Sequence, residues 1–263
     1  MPSPHVDIAV TILGSGTCVP SLERSACSVL IETGESKLLF DSGPGTMRRL
    51  LETGTTIFDL THIFYSHFHP DHTSELVPLL FATKYPDSHR RQKMLTLCAG
   101  SGFVNFFKGL QRVYGGWIKL PSGMLQILEL DNSGPDSIRF DDLTVRSLPV
   151  VHNPESLAYR ITGRQGKSMV YSGDTDYSDN LVTLARDADL LICESAMPDE
   201  LKVSGHLTPS AAGEMAARAG VEALVLTHFY PECEQADIKK ECRKTYTGPL
   251  YLARDLMVFD LCV

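Results

Sequence analysis

The sequence has no apolar run approaching ~18 residues, the length a membrane-spanning helix needs. Its start, Met1-Pro2-Ser3-Pro4-His5-Val6-Asp7, carries no basic stretch ahead of an apolar core, so no secretory leader is expected and a cytoplasmic location is. There is no CxxC pair among the seven cysteines, Cys18, Cys27, Cys98, Cys193, Cys233, Cys242 and Cys262. Their odd count and scatter exclude a disulfide framework and a structural zinc ribbon, and leave buried thiols in a reducing compartment as the expectation. No long Pro/Gly/Ser linker, short-period repeat or low-complexity tract interrupts the 263 residues, so one domain spanning 1–263 is expected. Positive charge is scarce. With 24 Lys and Arg against 32 Asp and Glu, the net charge is −8, a field that repels nucleic acid and anionic membranes, although bound divalent cations would invert it locally.

What is present is an ordinary globular composition, 43% hydrophobic and 21% charged, in a chain long enough to bury a core without disulfides. β-Branched or apolar stretches predict strands over Asp7–Leu13, Ala26–Thr33, Lys37–Phe40, Thr61–Tyr65, Met94–Ala99 and Leu125–Leu130. Further strands are predicted over Ser137–Phe140, Leu143–Val150, Leu157–Thr162, Ser168–Tyr171, Asp189–Cys193 and Ala223–Thr227, with closing strands at the end. Helices are predicted over Thr46–Glu52, from just after His72 through Lys84, and over Val104–Tyr114, Leu181–Arg186, Pro209–Ala219 (capped by Thr208) and about Gln235–Lys244. A β-rich half, helices, a second β-rich half and helices again suggest a layered α/β fold.

The chemistry concentrates in His67-Phe68-His69-Pro70-Asp71-His72, at the end of an apolar strand. On an extended strand end, residues two apart project to the same side, so His67 and His69 can meet one metal ion. The turn at Pro70 can aim Asp71 and His72 at a second. More ligands are then required, and His152, Asp174 and His228 each follow a predicted strand. Alone, each reads as a loop residue. Together with the first cluster they read as ligands.

These motifs resemble the metallo-β-lactamase superfamily, and within it the ribonuclease Z-like branch, over nearly the full length. Leu13-Gly14-Ser15-Gly16-Thr17, with Pro20 and Arg24, is similar to that branch's opening loop. The segment from Leu38 to Thr46 resembles its second signature, His67–His72 the superfamily hallmark, and Thr227-His228-Phe229 the final metal motif. The resemblance implies an α/β fold of the four-layer αββα sandwich type, with two mainly antiparallel or mixed sheets face to face, helices on both outer faces and the site along one edge. It implies that His67, His69 and His152 hold one divalent metal ion, that Asp71, His72 and His228 hold a second, and that Asp174 bridges them. All are nitrogen or oxygen ligands, for which zinc is the default and manganese or iron also suit.

Gly205-His206-Leu207-Thr208 resembles the branch's short histidine motif near the leaving group, and Glu194 matches its acidic partner. The implied activity is phosphodiester hydrolysis. A hydroxide held between two ions attacks phosphorus, Asp71 takes up a proton, and His206, steadied by Glu194, neutralises the departing oxygen. The named activity of the branch is transfer-RNA 3′ processing. The long bacterial enzymes carry an RNA-gripping arm between the third histidine and the bridging aspartate. The 22 positions from His152 to Asp174 have room only for a hairpin. The substrate is therefore either RNA or a small or cyclic phosphodiester. The one compact basic stretch, Lys84–Lys93, reads as a charged surface loop. Pro70, where the branch often has a small residue, should stiffen the metal loop. The alternatives are hydrolysis of another bond on the same scaffold (thioester, lactone or β-lactam) and, in a different class, a non-catalytic binding protein. No membrane partner is expected, and a homodimer is compatible with the sequence.

Overall fold

The computed structural model describes residues 6–34, 36–85 and 90–263. Among the described residues, fourteen strands form two seven-stranded sheets. The first contains β1 (Val6–Gly14), β2 (Ser28–Glu32), β3 (Lys37–Phe40), β4 (His62–Tyr65), β5 (Leu95–Gly100), β6 (Leu125–Leu130) and β14 (Met257–Cys262). Their spatial order is β14-β1-β2-β3-β4-β5-β6, antiparallel from β14 to β3 and parallel from β3 to β6. The second contains β7 (Asp136–Arg139), β8 (Leu143–Pro149), β9 (Leu157–Gly163), β10 (Ser168–Tyr171), β11 (Leu190–Glu194), β12 (Ala223–Thr227) and β13 (Leu250–Leu252). Here β7 to β10 are antiparallel and β10 to β13 parallel.

The two-residue period of a strand sorts side chains between layers. Val29, Ile31, Leu38, Phe40, Phe64 and Cys98 point into the central core against Val145, Tyr159, Ile161 and Met169 of the opposite sheet. Their neighbours Leu30, Leu39, Ile63, Tyr65, Leu97 and Ala99 face the other way. They pack under α1 (Thr46–Glu52), α3 (Leu76–Ala82) and α4 (Phe103–Tyr114). The parallel half of the second sheet is apolar on both faces and is covered by α6 (Pro209–Ala219), with α7 (Ile238–Cys242) packed against α6, while α5 (Asp179–Leu184) lies over β8 and β9. The result is the expected αββα sandwich. No helix among the described residues is long and apolar enough to cross a membrane. Five cysteines are buried, Cys18 and Cys262 are exposed, and all are free.

Three local expectations are corrected. The helix expected from just after His72 through Lys84 starts earlier and is broken: α2 (Pro70–Thr73) includes Asp71 and His72, and α3 follows. The link is pinned from outside: Glu75 N–H donates to Ser42 O, and the Glu75 carboxylate accepts from Gly45 N and Met47 N at the start of α1. The last helix, expected over about Gln235–Lys244, is shorter: α7 starts at Ile238, where the Asp237 side chain caps it by accepting from Lys240 N, and a separate 3₁₀ turn, Pro231–Gln235, precedes it. Thr208 occupies the N-cap of α6, but its side chain makes no cap bond there. Asp199 supplies it, accepting from Ser210 N and Oγ.

The basic stretch Lys84–Lys93 lies partly outside the described residues, at 86–89. Within it Arg91 is buried, not part of a charged surface: its guanidinium donates to the carbonyls of Leu60 and Ile57.

Candidate metal centre

Every residue assigned to a metal follows a strand, and those strands end at one edge, while His206 lies in the loop before α6. The hallmark loop leaves β4; His152, Asp174 and His228 follow β8, β10 and β12; Glu194 ends β11. Since β8 runs antiparallel to β9 and β9 to β10, β8 and β10 point the same way. The sheets are joined at this edge by Tyr159 Oη donating to Tyr65 O and by Leu157 N donating to Ser66 O. Pro70 sits at the first position of α2, where its missing N–H is not needed, and His69 before it is extended, as a residue preceding proline prefers.

The side chains gather into two groups. Ligand atoms of His67, His69, His152 and Asp174 lie within 4.8 Å of one another, as do those of Asp71, His72 and His228. Asp174 stands between them. Its Oδ2 is 3.6 Å from His67 Nε2 and 4.0 Å from His152 Nε2, while its Oδ1 is 3.3 Å from both His72 Nε2 and His228 Nε2. Asp71 Oδ2 faces His72 Nε2 at 3.8 Å and His228 Nε2 at 3.7 Å. His67, His72, Asp174 and His228 are buried; His69 is exposed, and Asp71, His152 and His206 are half-buried, so the site opens to one side.

The hydrogen bonds behind this cluster fix which imidazole nitrogen is free. His72 Nδ1 donates to Asp41 Oδ2 at 2.8 Å. Ser66 Oγ donates to the same carboxylate and so accepts from His67 Nδ1 at 3.0 Å. His152 Nδ1 donates to Gly205 O at 2.8 Å. Each ring therefore presents a bare Nε2 inward. His69 is reversed: its Nδ1 lies 3.3 Å from His152 Nε2, while its Nε2 meets the Asn153 side-chain amide at 3.1 Å. The Asn153 atom nearest His69 Nε2 is Nδ2; a bare Nδ1 puts the proton on Nε2, which requires the Asn153 amide to turn so that its oxygen faces the ring.

This donor set fits divalent cations. His67 Nε2, His72 Nε2, His228 Nε2 and Asp174 Oδ1 are buried with no hydrogen-bond partner, an arrangement too costly to keep without an occupant. Burial, reinforced by neighbouring His72, holds the His67 imidazole well below its ordinary proton affinity and so neutral. Burial also opposes a charge on His72, but Asp174 and Asp41 outweigh it and raise its proton affinity well above the ordinary value. Burial works against the Asp174 carboxylate too, yet His228, His72 and His67 hold it well below the usual range. Asp71, resisted by burial but favoured by His228 and His72, is held at about 2.

His206 stands beside this cluster, its ring 4.9 Å from His152 and 5.5 Å from His228 between centroids. Its Nδ1 donates to Glu194 Oε1 at 2.9 Å. Glu194 is buried and also accepts from the backbone of Thr175, Ala196 and Leu207. Burial disfavours the imidazolium, but the bond to Glu194 and its charge prevail and raise the His206 pKa. His206 also falls within reach of Asp174 and His228 as a third group of potential ligands, but its Nδ1 is already engaged by Glu194.

Sequence reasoning missed Asp41, Ser66, Asn153 and Tyr171. Asp41, within a quoted motif but given no role, adopts φ 58° and accepts from Ser66 N, Ser66 Oγ, His72 Nδ1 and Tyr171 Oη. An aspartate in a Gly/Pro-rich turn directly after an apolar strand was the available signal. Gly43 in that turn has a clear reason: a Cβ there would fall 1.7 Å from the Asp71 carbonyl oxygen.

The chain matches the family model described as the beta-lactamase superfamily domain over residues 36–229, and it belongs to the metallo-β-lactamase superfamily. Within it the chain falls in the ribonuclease Z-like branch of metal-dependent hydrolases. It is 31% identical over 249 residues to an uncharacterized protein of Mycobacterium tuberculosis, covering 94% of this chain and 89% of that one. The ribonuclease Z of Methanosarcina acetivorans is 27% identical over 310 residues, covering 97% and 98%. In structure, the metallo-beta-lactamase fold protein YhfI of Bacillus subtilis superposes with a TM-score of 0.83 at 23% identity, over 96% of this chain and 99% of that one.

Proposed function

We propose that the protein hydrolyses phosphodiesters, and that its substrates are small linear or cyclic ones. His67, His69 and His152 would hold one divalent ion and Asp71, His72 and His228 another, with Asp174 placed to serve both and zinc the expected metal. Bound there, the ions supply Lewis acidity toward phosphate oxygens and toward an attacking water. Asp71, ionised and reachable from solvent, accepts the proton that this water gives up. His206 keeps Nε2 to donate to the departing oxygen, and Glu194 keeps the ring charged and oriented.

The Glu194–His206 pair carries this reading. Hydrolysis of a strained amide or a thioester gains little from such an acid, whereas an alkoxide leaving phosphorus needs a proton. Two observations favour small substrates. β9 and β10 are joined by residues 164–167 alone, so no arm extends between His152 and Asp174. The alignment with the archaeal ribonuclease Z spans 310 positions against a chain of 263, so that relative carries residues with no counterpart here. The test is a panel of bis(p-nitrophenyl) phosphate, cyclic nucleotides, precursor transfer RNA, a thioester and a β-lactam, with metal content measured on the same sample. Turnover of the small diesters is expected. Activity confined to the thioester or β-lactam would overturn the phosphodiester reading, and activity confined to precursor transfer RNA the small-substrate reading.

A further inference from the structure

In a chain of net charge −8, four arginines converge on one cleft far along the strands from the metal edge. The cleft, of about 540 Å³, lies on the outward face of β7, β8 and β9, beside the end of α5. The period of two turns Leu143, Val145, Leu157, Tyr159 and Ile161 inward and leaves Ser137, Arg139, Thr144, Arg146, Arg160 and Thr162 outward. Arg146 stands directly opposite Arg160, with Ser137 opposite Arg146 on the other side. In the adjacent row Arg139, Thr144 and Thr162 line up in register. Arg186, just past α5, closes the rim.

A like-charged pair at directly opposed positions destabilises a sheet, and the cleft does not neutralise it. Arg160 is held as a fixed charge, donating to the carbonyls of Leu184 and Arg186 and to Ser168 Oγ. Among the described residues, Arg139, Arg146 and Arg186 have neither an ion pair nor a side-chain hydrogen bond. The acidic groups nearby are Asp187 on the rim, Asp136 in an adjoining cleft of about 380 Å³ that shares Ser137, Arg146 and Arg160, and Asp189, which acts on Arg160 but is already engaged by Lys167 Nζ and Ser168 N. Asp136 is engaged by the backbone N–H of Asp131 and of Ser137. Four guanidinium groups thus face one open carboxylate, among hydroxyl donors and no aromatic ring.

We propose that this cleft is a second ligand site, separate from the metal centre, that binds the phosphate groups of a small oligophosphate. The arginine fork matches phosphate oxygens in pairs, and Ser137, Thr144 and Thr162 add donors of the right kind. The absence of any aromatic side chain leaves nothing for a nucleobase to stack on, so recognition rests on the phosphates. An anion bridging Arg146 and Arg160 would also relieve their repulsion.

The test is calorimetric titration of the metal-loaded protein with inorganic triphosphate at low ionic strength, for wild type, Arg146→Ala and Arg186→Ala. Both arginines are exposed, so the variants should fold, which a thermal melt checks. One saturable site is expected, weakened about tenfold in each variant and further in the double variant, with metal content unchanged. Binding of equal strength in wild type and double variant would place triphosphate elsewhere, the metal centre included, and overturn the proposal. So would a failure of triphosphate to bind. If an oligoribonucleotide then bound in its place, and lost affinity in the same variants, the strip would be an RNA-backbone contact instead. None of these outcomes bears on the reading of the metal centre.

Discussion

Asp41 and His72, both fully buried and 31 positions apart, meet through a 2.8 Å hydrogen bond from His72 Nδ1 to Asp41 Oδ2. The bond decides which nitrogen of His72 faces the cluster. Asp41 simultaneously receives Ser66 N, Ser66 Oγ and Tyr171 Oη, so one carboxylate orients His72 directly and His67 through Ser66.

Asp41→Asn should therefore weaken metal binding without removing a ligand. Asparagine tolerates the left-handed backbone at this position and keeps the shape, but brings an N–H₂ where donors already converge. Metal affinity should fall about 10- to 100-fold, the usual loss for an orienting partner. Competition with a chromophoric chelator measures it, and wild-type affinity in the folded variant would count against the wiring.

Asn153→Ala tests the reversed His69 ring. The Asn153 side-chain amide meets His69 Nε2 and holds the ring; its loss frees the ring to turn, and affinity should fall within the same 10- to 100-fold range. Metal content should drop far less than in His69→Ala, which removes a donor outright. Elemental analysis of the two variants side by side separates these cases.

The hallmark cluster was legible because its four donors lie within six residues and follow a recognisable apolar strand. His152, Asp174 and His228 were legible by position, each where the chain leaves a strand. The polar support was not. Asp41 meets Tyr171 across 130 positions and Asn153 meets His69 across 84, contacts that exist only once two sheets are stacked. The break between α2 and α3 escaped for a related reason: the apolar pattern from Leu76 to Ala82 reads as continuous with the metal loop, and the break is imposed by Glu75 bonding to a turn 30 residues earlier. Thr208 looked like a cap because threonine usually is one, whereas Asp199 reaches the same N–H groups from outside the helix.

Packing around the metal loop predicts a sharp contrast between two glycines. Gly43→Ala should cost about 3 kcal/mol, at the upper end of overpacking penalties, because its Cβ collides with the rigid Asp71 carbonyl. Gly109→Ala, inside α4 with nothing closer than 3.9 Å, should stabilise by roughly 0.5–1 kcal/mol. Denaturant melts of both variants check the sign and the gap.

His62, packed edge-on against Phe140 at 4.6 Å, has its pKa pushed down by burial to about 4. The unfolded chain binds a proton there near pH 6.5, the native one only near pH 4. Between those values the unfolded state holds more protons, so stability rises with pH through the window and is lost as pH falls. His62→Phe should flatten the fall between pH 6.5 and about 4. A variant with the wild-type slope there would show that His62 does not contribute.

The most direct test of the proposed function is the leaving-group dependence of His206→Ala. The variant should keep its metal, because His206 lies outside the assigned ligand set. It should cleave a diester with an alkyl leaving group on the order of 10²- to 10⁴-fold more slowly than wild type. Against p-nitrophenolate, which leaves without a proton, most of that loss should vanish. Equal turnover of the alkyl diester by variant and wild type, or an equal loss on both substrates, would contradict the role given to His206 and Glu194.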